Sequence, residues 1–118
     1  MNVTYDAKIE KVLSDDKLLK RAIHQELAKM IRRRENEIKS FDNFLEYLHH
    51  GLGKPHPLGN NKDARVRNGY GVHLTGNIRL IIQLDCASRS DEALKECKEV
   101  KIMGVVDYHG EKNEWIMP

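Results

Sequence analysis

The chain has 118 residues, 40% of them apolar and 32% charged, with a formal net charge of +2. That length suits one domain over residues 1–118, large enough to close a hydrophobic core without staples. The composition excludes a disordered chain, the charge total does not by itself announce a nucleic-acid binder, and no apolar run approaches the roughly 18 residues that cross a bilayer.

The first residues, Met1 to Asp6, hold no apolar leader, so a cytoplasmic location away from membrane is expected. A short strand is expected around Val3–Tyr5. Ser14, Asp15 and Asp16 offer capping oxygens and negative charge for a helix start. Leu19, Ile23, Leu27, Met30 and Ile31 then recur at helical spacing, which predicts one amphipathic helix through about Asn36. Its other side is basic: between Lys17 and Lys39 stand eight Lys/Arg and three Glu, with the run Arg32-Arg33-Arg34. Such a face attracts phosphate or an acidic partner, or is simply solvated. A second helix is predicted over Phe41–His50, capped by Ser40, with Phe41, Phe44, Leu45 and Leu48 as its stripe and Gly51 as its stop.

From Gly51 to Gly59 two prolines and three glycines predict a stiff irregular loop. The pattern then changes to period two. Tyr70–Leu74 and Ile78–Asp85 are expected strands around a turn at Thr75-Gly76-Asn77, and Val100–Tyr108 is the next. Ser90-Asp91 is placed to start one helical turn through Leu94. In the tail, Trp115-Ile116 either adds an edge strand or packs on the core. Helices first and strands afterwards indicate an α+β fold with an antiparallel meander. Cys86 and Cys97 match no metal spacing and are expected as two reduced thiols. His49 and His50 are consecutive on a helix and point about 100° apart, so with His56 they do not suggest a metal site.

The strands carry the chemistry. Along Ile78–Leu84, Ile78, Leu80, Ile82 and Leu84 share one face and Arg79, Ile81 and Gln83 the other. With a three-residue loop, His73 pairs with Arg79 on the face away from the core. The loop carries Lys54 and His56, and Asp107-Tyr108-His109-Gly110 closes the last strand, where His109 alternates with Tyr108, so His, Arg, Tyr and Lys are expected to converge on a positive sheet face. That set suits cleavage of RNA by its own 2′-OH without metal or cofactor. A base takes the hydroxyl proton, an arginine holds the charge that builds on the phosphate, and an acid protonates the leaving 5′-oxygen. Histidine can take either proton role near neutral pH.

The segment Gly51-Leu52-Gly53-Lys54-Pro55-His56-Pro57-Leu58 resembles the Gly-x-Gly-Lys-Pro-x-Pro-Leu stretch of YoeB-type toxins. The run from Tyr70 through Thr75-Gly76-Asn77 to Ile81, with Arg79 after the turn, resembles the strand–turn–strand of the wider RelE/HigB/YoeB toxins. Val106-Asp107-Tyr108-His109 resembles their closing Tyr-His. The pieces occur in the expected order across residues 15–110.

The resemblance implies a RelE-like fold, two N-terminal helices on a twisted antiparallel sheet of about four strands. It implies a ribosome-dependent mRNA endonuclease, and a cognate antitoxin protein that silences it. The assembled form would be a toxin–antitoxin hetero-oligomer or a homodimer. His56 stands where YoeB-type toxins place a Glu base and some HigB-type toxins a His. Arg79 matches the phosphate-stabilising Arg, His109 the histidine proposed as general acid, and Tyr108 its aromatic companion; the two histidine roles can be exchanged. Lys54, His73, Lys62, Arg65 and Arg67 are the implied phosphate or RNA contacts.

Gly59 stands where many relatives carry Lys, and the stretches Asn60–Asn68 and Cys86–Lys98 are longer than usual. Two rivals share the scaffold: a ParE-type gyrase inhibitor, which lacks the RNA-cutting set, and a non-catalytic module that binds a partner through the basic helix.

Overall fold

The computed structural model describes residues 1–59, 64–86, 88–109 and 112–117, with the side chains of residues 64, 109, 112 and 113 outside that description. Among them five helices and a six-stranded mixed sheet form an α+β fold. Strand β1 (Asn2–Tyr5) is followed by α1 (Glu10–Leu13), α2 (Asp16–Ala22), α3 (Gln25–Lys39) and α4 (Phe44–His50). Then come β2 (His56–Pro57), a 3-10 turn (Ala64–Val66), β3 (Gly69–Thr75), β4 (Ile78–Leu84), α5 (Asp91–Glu96), β5 (Glu99–His109) and β6 (Lys112–Met117). The sheet runs β1-β5-β4-β3-β2, and β6 also pairs with β5.

The expectation of two helices and about four antiparallel strands is corrected in both counts. The single long N-terminal helix is two. Ile23 turns extended at the end of α2, and the His24 ring caps α3 by accepting from the Glu26 amide at 3.2 Å. Apolar spacing alone cannot see such a break, because Leu19, Ile23, Leu27 and Ile31 are all buried on either side of it. The next helix starts at Phe44 rather than Phe41, since Asn43 Oδ1 accepts from the Glu46 amide at 3.0 Å, whereas Ser40 Oγ donates to the Glu37 carbonyl at the end of α3. Gly51 ends α4 in the left-handed region, as expected.

The three strands outside β3, β4 and β5 sit at edges. His56-Pro57, read as irregular loop, pairs with Gly71 and Tyr70 of β3. An edge strand tolerates proline, whose missing N–H leaves no ladder bond unmade. β1 pairs in parallel with residues 99–102 of β5, and β6 pairs antiparallel with residues 105–109. Since β4 holds the other side of β5, these two lie end to end along one edge. Gly104 makes their junction feasible: a Cβ there would stand 2.3 Å from the Met117 carbonyl oxygen and 2.6 Å from the Trp115 ring.

The helices cover one face of the sheet. Leu80, Ile82 and Leu84 of β4 join Ile31 and Ile38 of α3, Phe44 and Tyr47 of α4, and Val72 of β3 in the main core. The alternation expected along β4 therefore holds. On the opposite face Val66, Ile81, Met103 and Val106 form a smaller cluster, with Leu58, Tyr108 and Trp115 against it. The tail thus does both things foreseen for it, adding an edge strand and packing its tryptophan.

One acid interrupts the α3 stripe. Glu35 is 2% exposed. It accepts from Tyr5 Oη at 2.6 Å and from Arg32 Nη1 at 2.6 Å. Arg32 also reaches Asp16 and the Leu13 carbonyl, so one guanidinium joins α1, α2 and α3. Arg34 pairs with Glu37 at 2.6 Å, and Arg33 lies 3.5 Å from the same carboxylate. The Arg32-Arg33-Arg34 run is therefore ion-paired, Arg32 across to Asp16 of α2 and all three arginines to acids of α3 itself, whereas Lys17, Lys20, Arg21, Lys29 and Lys39 are exposed. No described helix is long and apolar enough to cross a membrane.

Candidate active site

The face away from the helices gathers five of the predicted side chains. The turn between β3 and β4 is one residue shorter than expected: Thr75 pairs with Ile78 around Gly76-Asn77, and Gly76 takes φ +52°. A bulge between His73 and Thr75 then restores the foreseen pairing of His73 with Arg79. Val106 of β5 is Arg79's neighbour on its other side.

Gly71 is where the site closes. It lies two residues before His73 on the same face, and it carries no side chain. A Cβ at that point would stand 3.2 Å from His56 Cε1, 3.3 Å from His56 Nε2 and 3.4 Å from Tyr108 Oη. The imidazole comes from the edge strand β2 and the phenol from β5 on the far side of β4, and both settle over the backbone of β3. Arg79 Cζ is 5.8 Å from the centre of the Tyr108 ring, the outer range of a cation–π contact. Its Nη1 donates to the Gly76 carbonyl at 2.8 Å and the Ile78 carbonyl at 3.2 Å, which anchors the guanidinium at the turn. Burial pushes the Tyr108 hydroxyl above the ordinary tyrosine range, and the Arg79 charge opposes that rise.

His73 and Lys54 flank this centre. Partial burial lowers the His73 pKa, and the charges of Arg79, Arg34 and Lys54 push it the same way. Lys54 takes φ +47°, and its segment is sewn to β3 by the His73 amide, which donates to the Gly53 carbonyl at 2.7 Å. Arg34 Nε donates to the His73 carbonyl at 2.9 Å from α3. His56 Nδ1 is 3.4 Å from the Lys54 carbonyl, so a proton on Nδ1 leaves Nε2 as the basic nitrogen above Gly71.

The other candidates fall elsewhere. Arg65 lies over the Trp115 ring, 3.8 Å from its centre. Arg67 is exposed, and its carbonyl accepts from Gln83 Nε2. Gln83 is four residues along β4 from Arg79, about 13 Å at strand spacing, so Arg67 belongs to the far end of the face. His109 closes β5 by pairing with Lys112, but its side chain lies outside the described residues. Lys62 lies outside them altogether. No group of three His, Cys, Asp or Glu that could hold a metal occurs among the described residues.

Three positions that matter here are given no part in the site by the sequence. Gly71 had a signal, since a lone glycine inside a strand marks close approach of another group. Arg34 had part of one, at helical spacing from Glu37. Arg89 had none: from the polar connector after β4 it donates to the Leu58 and Gly69 carbonyls and lies over the Tyr70 ring, which fastens β2 to β3.

No family model, curated protein or solved structure matches this chain.

Proposed function

We propose that this chain is a metal-independent endoribonuclease, an mRNA interferase of the RelE/HigB/YoeB type that acts on the ribosome and is silenced by a cognate antitoxin. The observation that carries the reading is the meeting of His56 and Tyr108 over Gly71, with Arg79 beside the phenol. His56 Nε2 takes the proton of the attacking 2′-OH, which frees its oxygen to attack the adjacent phosphorus. Arg79 faces the non-bridging oxygens as charge builds there, where a fixed donor is worth most. The 5′-oxygen leaves with a proton from the histidine at 109, or the two histidines exchange roles. Tyr108 holds the phosphate or stacks on a base. His73 and Lys54 add positive potential for the strand to follow.

Primer extension on a translated message tests this with the wild type, Arg79→Ala and His56→Ala. Codon-periodic cuts by the wild type, falling about 10²- to 10³-fold in Arg79→Ala, support it. Intact mRNA with broken DNA in wild-type-expressing cells refutes it in favour of a gyrase poison. Wild-type cutting by both variants refutes the assigned roles.

A further inference from the structure

Cys86 and Cys97 are eleven positions apart in sequence, yet they sit at the base of one loop. Leu84 and Val100 are the last paired residues where β4 leaves the sheet and β5 enters it. Cys86 lies two residues beyond the first and Cys97 three before the second, so the two backbone arms are still neighbours. The paired residues Leu84 and Val100 stand about 4.5 to 5.5 Å apart at Cα, and beyond them the two thiols are within hydrogen-bonding reach of each other, the proximity that a disulfide needs. Both cysteines line one cavity, with Asp85, Ala93 and Glu96. Cys97 is 3% exposed in the main core, and Cys86 packs against that core while remaining partly open to solvent.

We propose that Cys86 and Cys97 form a thiol–disulfide exchange site, with Cys86 the entry thiol and Cys97 the resolving thiol, that takes a low-molecular-weight disulfide such as oxidised glutathione. The Cys86 thiolate attacks one sulfur of the reagent, whose S–S bond breaks and releases one thiol. The Cys97 thiolate then attacks Cys86 Sγ, expels the second thiol and leaves the Cys86–Cys97 disulfide. Two protein thiols are oxidised and one small disulfide is reduced to two thiols, with the protons passing to the released thiolates.

The order of attack follows from accessibility. The reagent reaches only Cys86, whereas Cys97 is enclosed. Burial pushes the Cys97 thiol up to about 11, with the nearby Cys86 adding to the rise. It therefore stays protonated in the reduced chain, which leaves Cys86 to make the first attack. The closed loop contains α5 and Arg89, the side chain that fastens the His56 strand to β3.

The experiment treats the reduced full-length chain with oxidised glutathione, then reads intact mass and a non-reducing peptide map. The expected product is two hydrogens lighter than the reduced chain and carries a Cys86–Cys97 peptide. Cys97→Ser should instead trap one glutathione on Cys86, and Cys86→Ser should stay unmodified for far longer. Oxidation should also raise the melting temperature by several degrees, as closing a short loop does, and dithiothreitol should reverse the rise. A wild-type chain that accumulates glutathione on each cysteine without closing, or that forms only intermolecular disulfides, overturns the proposal. None of these readouts depends on RNA cleavage.

Discussion

Glu35→Ala should be among the most destabilising single substitutions in the N-terminal half. The carboxylate is nearly sealed, with 3% of its side chain exposed, and each oxygen has a partner at 2.6 Å. Removing it leaves the Tyr5 hydroxyl and one arm of Arg32 without their acceptor. Breaking a fully buried pair costs about 3 to 5 kcal/mol. Arg32 is 28% exposed and keeps Asp16 and the Leu13 carbonyl, so the lower end applies. We expect about 3 kcal/mol, a large share of the 5–15 kcal/mol typical of a whole domain. Tyr5→Phe removes a single charge-assisted bond and should cost about 1.5 to 2 kcal/mol. The double variant should fall short of the sum by about 1 kcal/mol, because both changes remove the same contact. Urea unfolding of the three variants at unchanged m-value measures all three quantities. A cost below about 1 kcal/mol for Glu35→Ala, or strict additivity with Tyr5→Phe, would refute the reasoning.

Four further outcomes follow. Burial, then the Glu35 hydrogen bond, raises the Tyr5 pKa from 10.0 to about 12. Its contribution to stability is therefore complete below pH 10.0 and lost as pH climbs toward about 12; Tyr5→Phe should flatten the alkaline fall in urea midpoint, though not abolish it, since Tyr47 is raised as well. Arg79→Ala should raise the His73 titration midpoint in NMR part of the way to its ordinary value, because burial is the larger cause and remains; an unmoved midpoint would separate the two side chains. Gly104→Ala drives a methyl into the Met117 carbonyl and Trp115 ring and should cost about 2 to 3 kcal/mol, visible as a red-shifted emission of the single tryptophan. Gly71→Ala adds a methyl between His56 and Tyr108 and should slow RNA cleavage about tenfold while leaving the circular dichroism unchanged; a wild-type rate would show that their convergence is not needed.

The α+β class, the hairpin, the face of Arg79 and its pairing with His73 were legible from residue order, because alternation in a strand and spacing on a helix are local properties. So were the Gly51 stop and the short helix near Ser90, whose Oγ accepts from the Ala93 amide. Long-range partners were not legible. Nothing near Asn2–Tyr5 says that it pairs in parallel with a strand nearly a hundred residues on, and nothing near His56-Pro57 says that it borrows a ladder from β3.

The candidate site divides in the same way. Residue types and their order named His56, Arg79 and Tyr108, but their convergence depends on β2 and β5 bringing an imidazole and a phenol over Gly71 of β3, a position whose role is to be empty. The basic run on α3 shows how neighbours modify a charge count. Helical spacing alone sets Glu35 and Glu37 against it, but only folding brings Asp16 there from α2, and ion pairing depends on distance rather than on count. Local chemistry determined which elements form and which groups they carry; only the packed chain decided which of those groups meet, because a contact between strands or helices has no signature in either segment alone.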